Sequence, residues 1–234
     1  MDFLELQTYA RIRTKTEQNF AITDEALRFY LNMSLGALYS IIASDYEDYF
    51  SVKYLATLNG NTGNQIPVPP DFYKLRAVDF GGPGFWTTVY GFMLEERNRM
   101  NNPIANMASP YGNLAARKVR TMGNKVFVEP EALCQGQYQV WYIPKFHPLV
   151  LDTDKLIPAM DTNGWIEYAV CATGVKIYNA LGLQPDGFMM EMKEHETMVR
   201  NDASNRMSNG PQAMVNTRNV SDWSFGGGFG GYGG

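Results

Sequence analysis

The chain has 234 residues, of which 45% are hydrophobic and 13% aromatic, and its formal net charge is −4. This composition allows a large domain with its own core, and the negative charge argues against a general nucleic-acid binder, which would normally carry a basic face. The sequence has neither a signal-peptide layout nor an apolar run of bilayer length, so we expect no membrane contact. Cys134 and Cys171 are accordingly predicted to be free thiols in a reducing compartment.

Two helices are predicted at the N-terminus. Residues 2–18 and, after a break, residues 24–44 carry apolar side chains at helical spacing. Thr23 or Asp24 can cap the second helix, because their side-chain oxygens accept hydrogen bonds from the first-turn N–H groups. The second helix has an apolar stripe made of Leu27, Leu31, Leu35, Leu38 and Ile42.

The periodicity becomes alternating near Tyr49, and this pattern predicts strands as far as about residue 149. The first strand is predicted to carry on one face Phe50, Val52, Tyr54 and Leu58. Gly123-Asn124 is typical of a two-residue hairpin turn. A further strand is predicted from the alternation of Tyr138, Val140 and Tyr142.

Helical spacing returns after Asp161. Residues 165–183 are apolar on all sides, and such a helix must be buried, either within the monomer or between subunits. A last, polar helix is predicted to start at Pro185-Asp186 and to end between residues 205 and 210. Its inner side is predicted to carry Met189, Met192 and Val199.

These elements predict an α+β fold. Residues 1–48 and 150–208 would form a helical bundle from two N-terminal and two C-terminal helices, and residues 49–149 a β-rich insertion. Residues 209–234 would form an extended, glycine-rich C-terminal arm.

The arm is unusual in composition, because seven of the last nine residues are glycine. Such a segment has too little apolar surface to offset the entropy of ordering alone. We predict that it orders by docking on a partner, for instance as an added strand, through the aromatic anchors Trp223, Phe225, Phe229 and Tyr232. The alternative is a disordered tail with incidental aromatic residues.

No catalytic, cofactor or metal-binding constellation is predicted. His195 lies four residues after Glu191 and can share its helix face, but the second Glu-x-x-His pair of a di-metal bundle is missing. We therefore expect His195 on a solvated helix face and His147 in a packed loop. The chain is predicted not to be an enzyme.

One stretch of the chain is strongly basic. Between Arg97 and Lys125 there are six basic residues and no acidic one. We predict that Arg117, Lys118 and Arg120 face DNA or an acidic protein. The alternative is an ordinary solvated loop and hairpin.

The order of several motifs resembles that of the head-to-tail adaptor (connector) proteins of tailed bacteriophages. The resemblance spans residues 2 to about 206. The motifs that carry it are Tyr9-Ala10-Arg11, Leu38-Tyr39-Ser-Ile-Ile, Ile66-Pro-Val-Pro-Pro-Asp71-Phe72-Tyr73-Lys74-Leu75, Val126-Phe-Val-Glu-Pro130, Trp141-Tyr142-Ile143-Pro144 and Trp165-Ile-Glu-Tyr168.

The resemblance implies a structural virion protein without cofactors. Such adaptors form a ring, usually twelvefold, beneath the portal, with their bundles around the channel for the double-stranded phage DNA. The implied partners are the portal, which the arm would hook, further copies of the chain, and tail tube or nozzle proteins. The implied location is the head–tail junction, after assembly in the host bacterial cytoplasm. The large β-rich insertion departs from the smallest members of the family.

Two alternatives stay open at this point. One is another phage tail component, such as a tail-tube or nozzle protein. The other is a single-stranded nucleic-acid-binding protein whose tail aromatics stack on bases.

Overall fold

The computed structural model describes residues 1–17, 21–59, 63–82, 84–91, 117–129, 131, 134–157, 160–161 and 164–208. Within these residues, four helices and a seven-stranded sheet make a mixed α+β fold. The helices are α1 (Phe3–Thr14), α2 (Asp24–Asp45), α3 (Ile166–Ala180) and α4 (Asp186–Ser208). The strands are β1 (Val52–Leu58), β2 (Gln65–Ile66), β3 (Phe72–Gly82), β4 (Phe85–Gly91), β5 (Lys118–Met122), β6 (Lys125–Glu129) and β7 (Gly136–Pro144). The arm, Arg97 and Arg99 lie outside the described residues.

Side-chain caps start both N-terminal helices. The Asp2 carboxylate accepts from the Glu5 N–H at 2.8 Å, and the Glu5 carboxylate accepts from the Asp2 N–H at 2.9 Å, which is a capping box. Thr23 caps α2 by accepting from the Ala26 N–H at 3.2 Å, as predicted. Helix α1 ends at Thr14, before the predicted residue 18, because Lys15 takes a left-handed conformation with φ 54°.

The four helices share one hydrophobic core. The predicted stripe of α2 is confirmed, since all five of its residues are buried there. By length and composition α2 is also comparable to a membrane-spanning helix, with a mean hydropathy of 1.2 over 18 residues. The expectation that no apolar run approaches bilayer length therefore fails for α2. Its most apolar face is covered by the other helices of this core.

Helix α3 is enclosed by its own chain. Nine of its fifteen residues are buried, and it packs against α1, α2 and α4. Its only exposed residues are Asn179 and Ala180 at the C-terminal end, and the remaining four are half-buried. Of the two alternatives for this apolar helix, burial within the monomer applies, and its low charge no longer indicates a subunit interface.

Helix α4 buries a narrow stripe that includes Val199 and Ala203, with Met192 partly buried beside it. The prediction for Met189 is wrong, because its side chain is 38% exposed. Instead the neighbouring Phe188 turns inward, and its ring lies 5.0 Å from that of Tyr178 on α3. Successive residues on a helix are rotated by about 100°, so one of two adjacent side chains can point inward while the other points to solvent.

The strand order is β1-β7-β3-β4-β5-β6-β2. Neighbouring strands are antiparallel except β4 and β5. All seven strands contribute to a second core, and β1 also contacts β2, so the sheet curls around that core. The predicted hairpin is confirmed between β5 and β6, with Gly123 at φ 58°.

The predicted strand faces hold with one exception. Tyr138, Val140 and Tyr142 are buried on the inner face of β7, as expected. Phe50, predicted on the first strand, lies in a 3-10 helix (Glu47–Phe50) before β1. Its ring stacks on Tyr39 of α2, 4.3 Å between centroids, so it belongs to the helical core.

Helices and sheet meet along one side of β7. The Tyr39 hydroxyl donates to the Pro144 carbonyl at 2.7 Å, and Ile143 packs into the helical core. Residues 149–155, here called the return segment, then run along the helices. The Phe3 N–H donates to the Asp154 carbonyl at 2.9 Å, and Arg28 forms an ion pair with Asp152 at 2.6 Å. The chain re-enters the helical layer through these contacts.

Candidate functional sites

The predicted basic surface is centred on β5. Lys118 and Arg120 are two residues apart on the strand and therefore lie on the same face, while Val119 points into the sheet core. Glu129 of β6 is directly opposite Lys118 in the hairpin register, and its carboxylate lies 3.8 Å from the Arg120 guanidinium. The repulsion between these two basic residues is thus reduced within the chain.

Arg117 is separated from that surface. Its guanidinium lies 3.7 Å from the centroid of the Phe80 ring, at the edge of the sheet core. Burial raises the pKa of the neighbouring Tyr138 to about 12, and the Arg117 charge opposes that rise. The structure therefore brings together only Lys118 and Arg120 of the three predicted residues. Their contact with DNA or an acidic protein stays a prediction.

A groove of about 320 Å³ lies beside Arg120, between β3, β4 and β5. Arg76 also lines it and pairs with Asp48 at 2.7 Å. Two guanidinium groups thus lie at one groove, each beside an acidic side chain of the same chain.

A second cavity, of about 420 Å³, lies where the helices meet β7. Aromatic residues line part of it, including Tyr39, Tyr49 and Phe146. His147, predicted in a packed loop, is itself exposed at this cavity, while the adjacent Phe146 packs against Tyr39.

A cluster of polar side chains lies where α1, α3 and α4 meet. The Tyr9 hydroxyl donates to Glu167, and the Arg13 guanidinium pairs with Glu191 at 2.6 Å. The Cys171 thiol donates to Glu191 Oε2 at 3.5 Å. We call this the interhelical cluster; its members are Tyr9, Arg13, Glu167, Cys171, Glu191 and His195.

Three members of the interhelical cluster converge closely. One ligand atom from each of Glu167, Cys171 and His195 lies within 4.8 Å of the other two. Cys171 is fully buried, and Glu167 and His195 are half-buried. The prediction that His195 lies on a solvated helix face is therefore incorrect.

Hydrogen bonding and burial keep the acidic protons of this cluster in place. The hydrogen bond to Glu167, together with burial, raises the pKa of Tyr9 to about 12. Burial, followed by the hydrogen bond to Glu191, raises the pKa of Cys171 to about 12. Burial also raises the pKa of Cys134. Both cysteines are free thiols, as predicted, and neither has the lowered pKa of a nucleophile.

The sequence contains a local signal for this cluster, although the cluster was not predicted. Glu167 and Cys171 are four residues apart on α3, and Glu191 and His195 are four apart on α4. Residues at this spacing share a helix face. The Glu-x-x-His motif of a di-metal bundle places its two ligands three residues apart, so it matches neither of these pairs, and the pair on α3 ends in cysteine rather than histidine.

The chain matches none of the protein-family models and none of the curated proteins with which it was compared.

Proposed function

We propose that the chain is a structural virion protein, a head-to-tail adaptor that assembles as a ring under the portal and joins capsid to tail. The observation that supports this most is the chain's connectivity. Helices α1 and α2 share a core with α3 and α4, although the sheet strands lie between them in sequence. We infer a helical bundle with an inserted β-rich domain, the architecture that the sequence resemblance implies.

Subunit contacts in the ring are proposed for the outer faces of α1 and α2, since α3 is enclosed. Phe29 and Met33 of α2 are 61% and 49% exposed and lie four residues apart on one face. Leu4 and Ile12 give α1 a similar exposed apolar face. A second copy of the chain covering these side chains would remove apolar surface from water, which favours assembly at about 25 cal/mol per Å².

The arm is proposed to hold the ring on the portal. Trp223, Phe225, Phe229 and Tyr232 would fill portal pockets, each contributing roughly 1.5–3 kcal/mol by buried area. Ordering the glycine-rich backbone costs about 1–2 kcal/mol per residue, so hydrogen bonds to a portal strand would have to supply the remainder. Repetition around a ring would strengthen attachment through effective concentration.

Deletion of the residues after Val220 tests the proposed anchor. The shortened subunit should keep its circular dichroism spectrum, because the described helices and strands end before the deletion. It should fail to bind portal-bearing heads in a sedimentation assay. The matched control keeps the arm length but replaces the four aromatic residues with serine, and it should fail equally. Equal recruitment of the shortened and full-length subunits would show that the arm is not the anchor.

Cryo-electron microscopy of virions labelled on this subunit tests the location. A labelled ring directly beneath the portal supports the adaptor. Label along the tail tube or at the nozzle would instead favour another tail component. The label density also gives the number of copies per particle, and we expect twelve.

A further inference from the structure

We propose that Glu167, Cys171 and His195 bind one zinc ion that links α3 to α4. Each side chain offers a ligand atom, and the three atoms lie within 4.8 Å of one another. Two of the ligands come from one helix and the third from the next, so an ion here would add a coordinate link between two elements that already meet through side-chain packing and the Cys171–Glu191 hydrogen bond. This inference is independent of the proposed virion role.

The spacing is close to that of a tetrahedral site. Zinc bonds of about 2.0–2.3 Å place neighbouring ligand atoms about 3.3–3.7 Å apart. Side-chain rotations that move the ligand atoms by about 1 Å would bring their separations from 4.8 Å or less into that range. Glu167 and His195 are half-buried side chains with the freedom to make these rotations, while Cys171 is fixed in the core.

The donor set selects the class of metal. A thiolate, an imidazole and a carboxylate suit a borderline-soft ion such as zinc, whereas calcium and magnesium prefer oxygen ligands only. Zinc binding would release the Cys171 thiol proton to solvent, and the thiolate and the Glu167 carboxylate would then balance the charge of Zn²⁺. The occupied site would carry no net charge in the half-buried helix interface.

Neighbouring groups support the ligands in the manner of outer-shell partners. The Tyr9 hydroxyl donates to Glu167 Oε1 and leaves the other carboxylate oxygen for the metal. Glu191 is paired with Arg13 at 2.6 Å, which keeps its charge neutralised beside the site. We assign the fourth zinc position to water, because Glu191 is already held by Arg13.

A metal at this point would have a structural consequence for α4. That helix is largely polar and buries few apolar residues, among them Val199 and Ala203. Coordination through His195 would fix its middle against α3 and thereby order the helix that leads into residues 209–234.

The test uses the full-length chain, freed of metal with a chelator and then titrated with zinc chloride. We expect one zinc per chain by mass spectrometry of the metal and an increase in melting temperature with zinc concentration. Cobalt(II) in place of zinc should give the thiolate-to-cobalt charge-transfer band and the intense visible bands of a tetrahedral site.

Matched variants identify the ligands. Cys171→Ala and His195→Ala should each weaken zinc binding at least about a hundredfold, since loss of an outer-shell partner alone costs about 10–100-fold. Cys134→Ala should bind zinc like the wild type, because Cys134 lies in the sheet core, where its thiol donates to the Gly63 carbonyl. If Cys171→Ala does not fold, because Cys171 is buried, zinc binding by His195→Ala tests the proposed ligand set.

Three results would overturn the proposal. They are a wild-type melting temperature that does not respond to zinc, a cobalt complex without the thiolate band, and undiminished zinc binding by folded His195→Ala.

Discussion

Asn32 on α2 forms two hydrogen bonds with the backbone of Leu149 in the return segment. Its Nδ2 donates to the Leu149 carbonyl at 2.9 Å, and its Oδ1 accepts from the Leu149 N–H at 2.8 Å. One amide side chain thus satisfies both backbone groups of a residue that is in neither helix nor strand. This relationship fixes where the chain returns from the sheet to the helices.

Replacing Asn32 with alanine should lower the free energy of unfolding by about 2 kcal/mol, because two partly buried backbone groups lose their partners. Urea denaturation monitored by circular dichroism measures the change. Ser40→Ala on the exposed side of the same helix is the control, since its hydroxyl only donates to the Gly36 carbonyl. The two variants should differ by more than 1 kcal/mol; equal effects would mean that the Leu149 contacts do not hold the return segment.

Gly174→Ala should destabilise the protein by about 1–3 kcal/mol despite the better helix propensity of alanine. A Cβ at position 174 would lie 2.8 Å from the Phe188 ring, in the contact between α3 and α4. Gly187→Ala on α4 is the control, because its Cβ would meet no atom within 4 Å. Thermal melting should show the control equal to or more stable than the wild type. A stabilised Gly174→Ala would mean that the Phe188 ring makes room for the methyl group without cost.

The stability of the return segment should fall in acid through Asp154. Its carboxylate accepts from the N–H groups of Leu151 and Val150, and these bonds lower the Asp154 pKa. The unfolded chain therefore binds this proton at higher pH than the native state. The stabilisation is complete above the ordinary aspartate pKa of about 3.9 and is lost as pH falls through the lower native value. Denaturation of Asp154→Asn between pH 7 and pH 3 should show a shallower decline than the wild type; parallel curves would contradict this.

Arg117→Ala should lower the free energy of unfolding by roughly 0.5–2 kcal/mol, through loss of the cation–π contact with Phe80. Lys125→Ala is the control, because Lys125 is an exposed residue at the hairpin turn. It should change stability by less than about 0.5 kcal/mol. If Arg117→Ala leaves the free energy of unfolding unchanged, Arg117 would again be a candidate for contact with a partner.

The double variant Lys118→Gln with Arg120→Gln tests the basic surface without placing new acids opposite Glu129. If the surface meets DNA or an acidic protein, the variant should keep its fold and assemble more weakly onto heads, with a smaller dependence on salt. Lys125→Gln is the single-charge control. Unchanged assembly of the double variant would favour the ordinary solvated hairpin.

Part of the fold follows from short-range patterns. The leucine stripe of α2, the Thr23 cap and the Gly123 turn were predicted correctly, because helical periodicity, capping and turn geometry depend on residues a few positions apart. The alternation of Tyr138, Val140 and Tyr142 likewise places one strand face inward. Phe50 was predicted incorrectly from such a pattern. Its apolar spacing indicated a strand, whereas its ring packs on Tyr39 in the helical core.

The sequence by itself determined where the four helices and the hairpin lie and, for α2 and β7, which face is apolar. Only the tertiary structure decided what covers those faces. It buried α3 within its own chain, placed Arg117 against the Phe80 ring, and brought Glu167 and Cys171 to His195. These outcomes depend on contacts between residues far apart in sequence. Local periodicity carries no information about which distant partner a face meets, because that is chosen by packing the whole core at once.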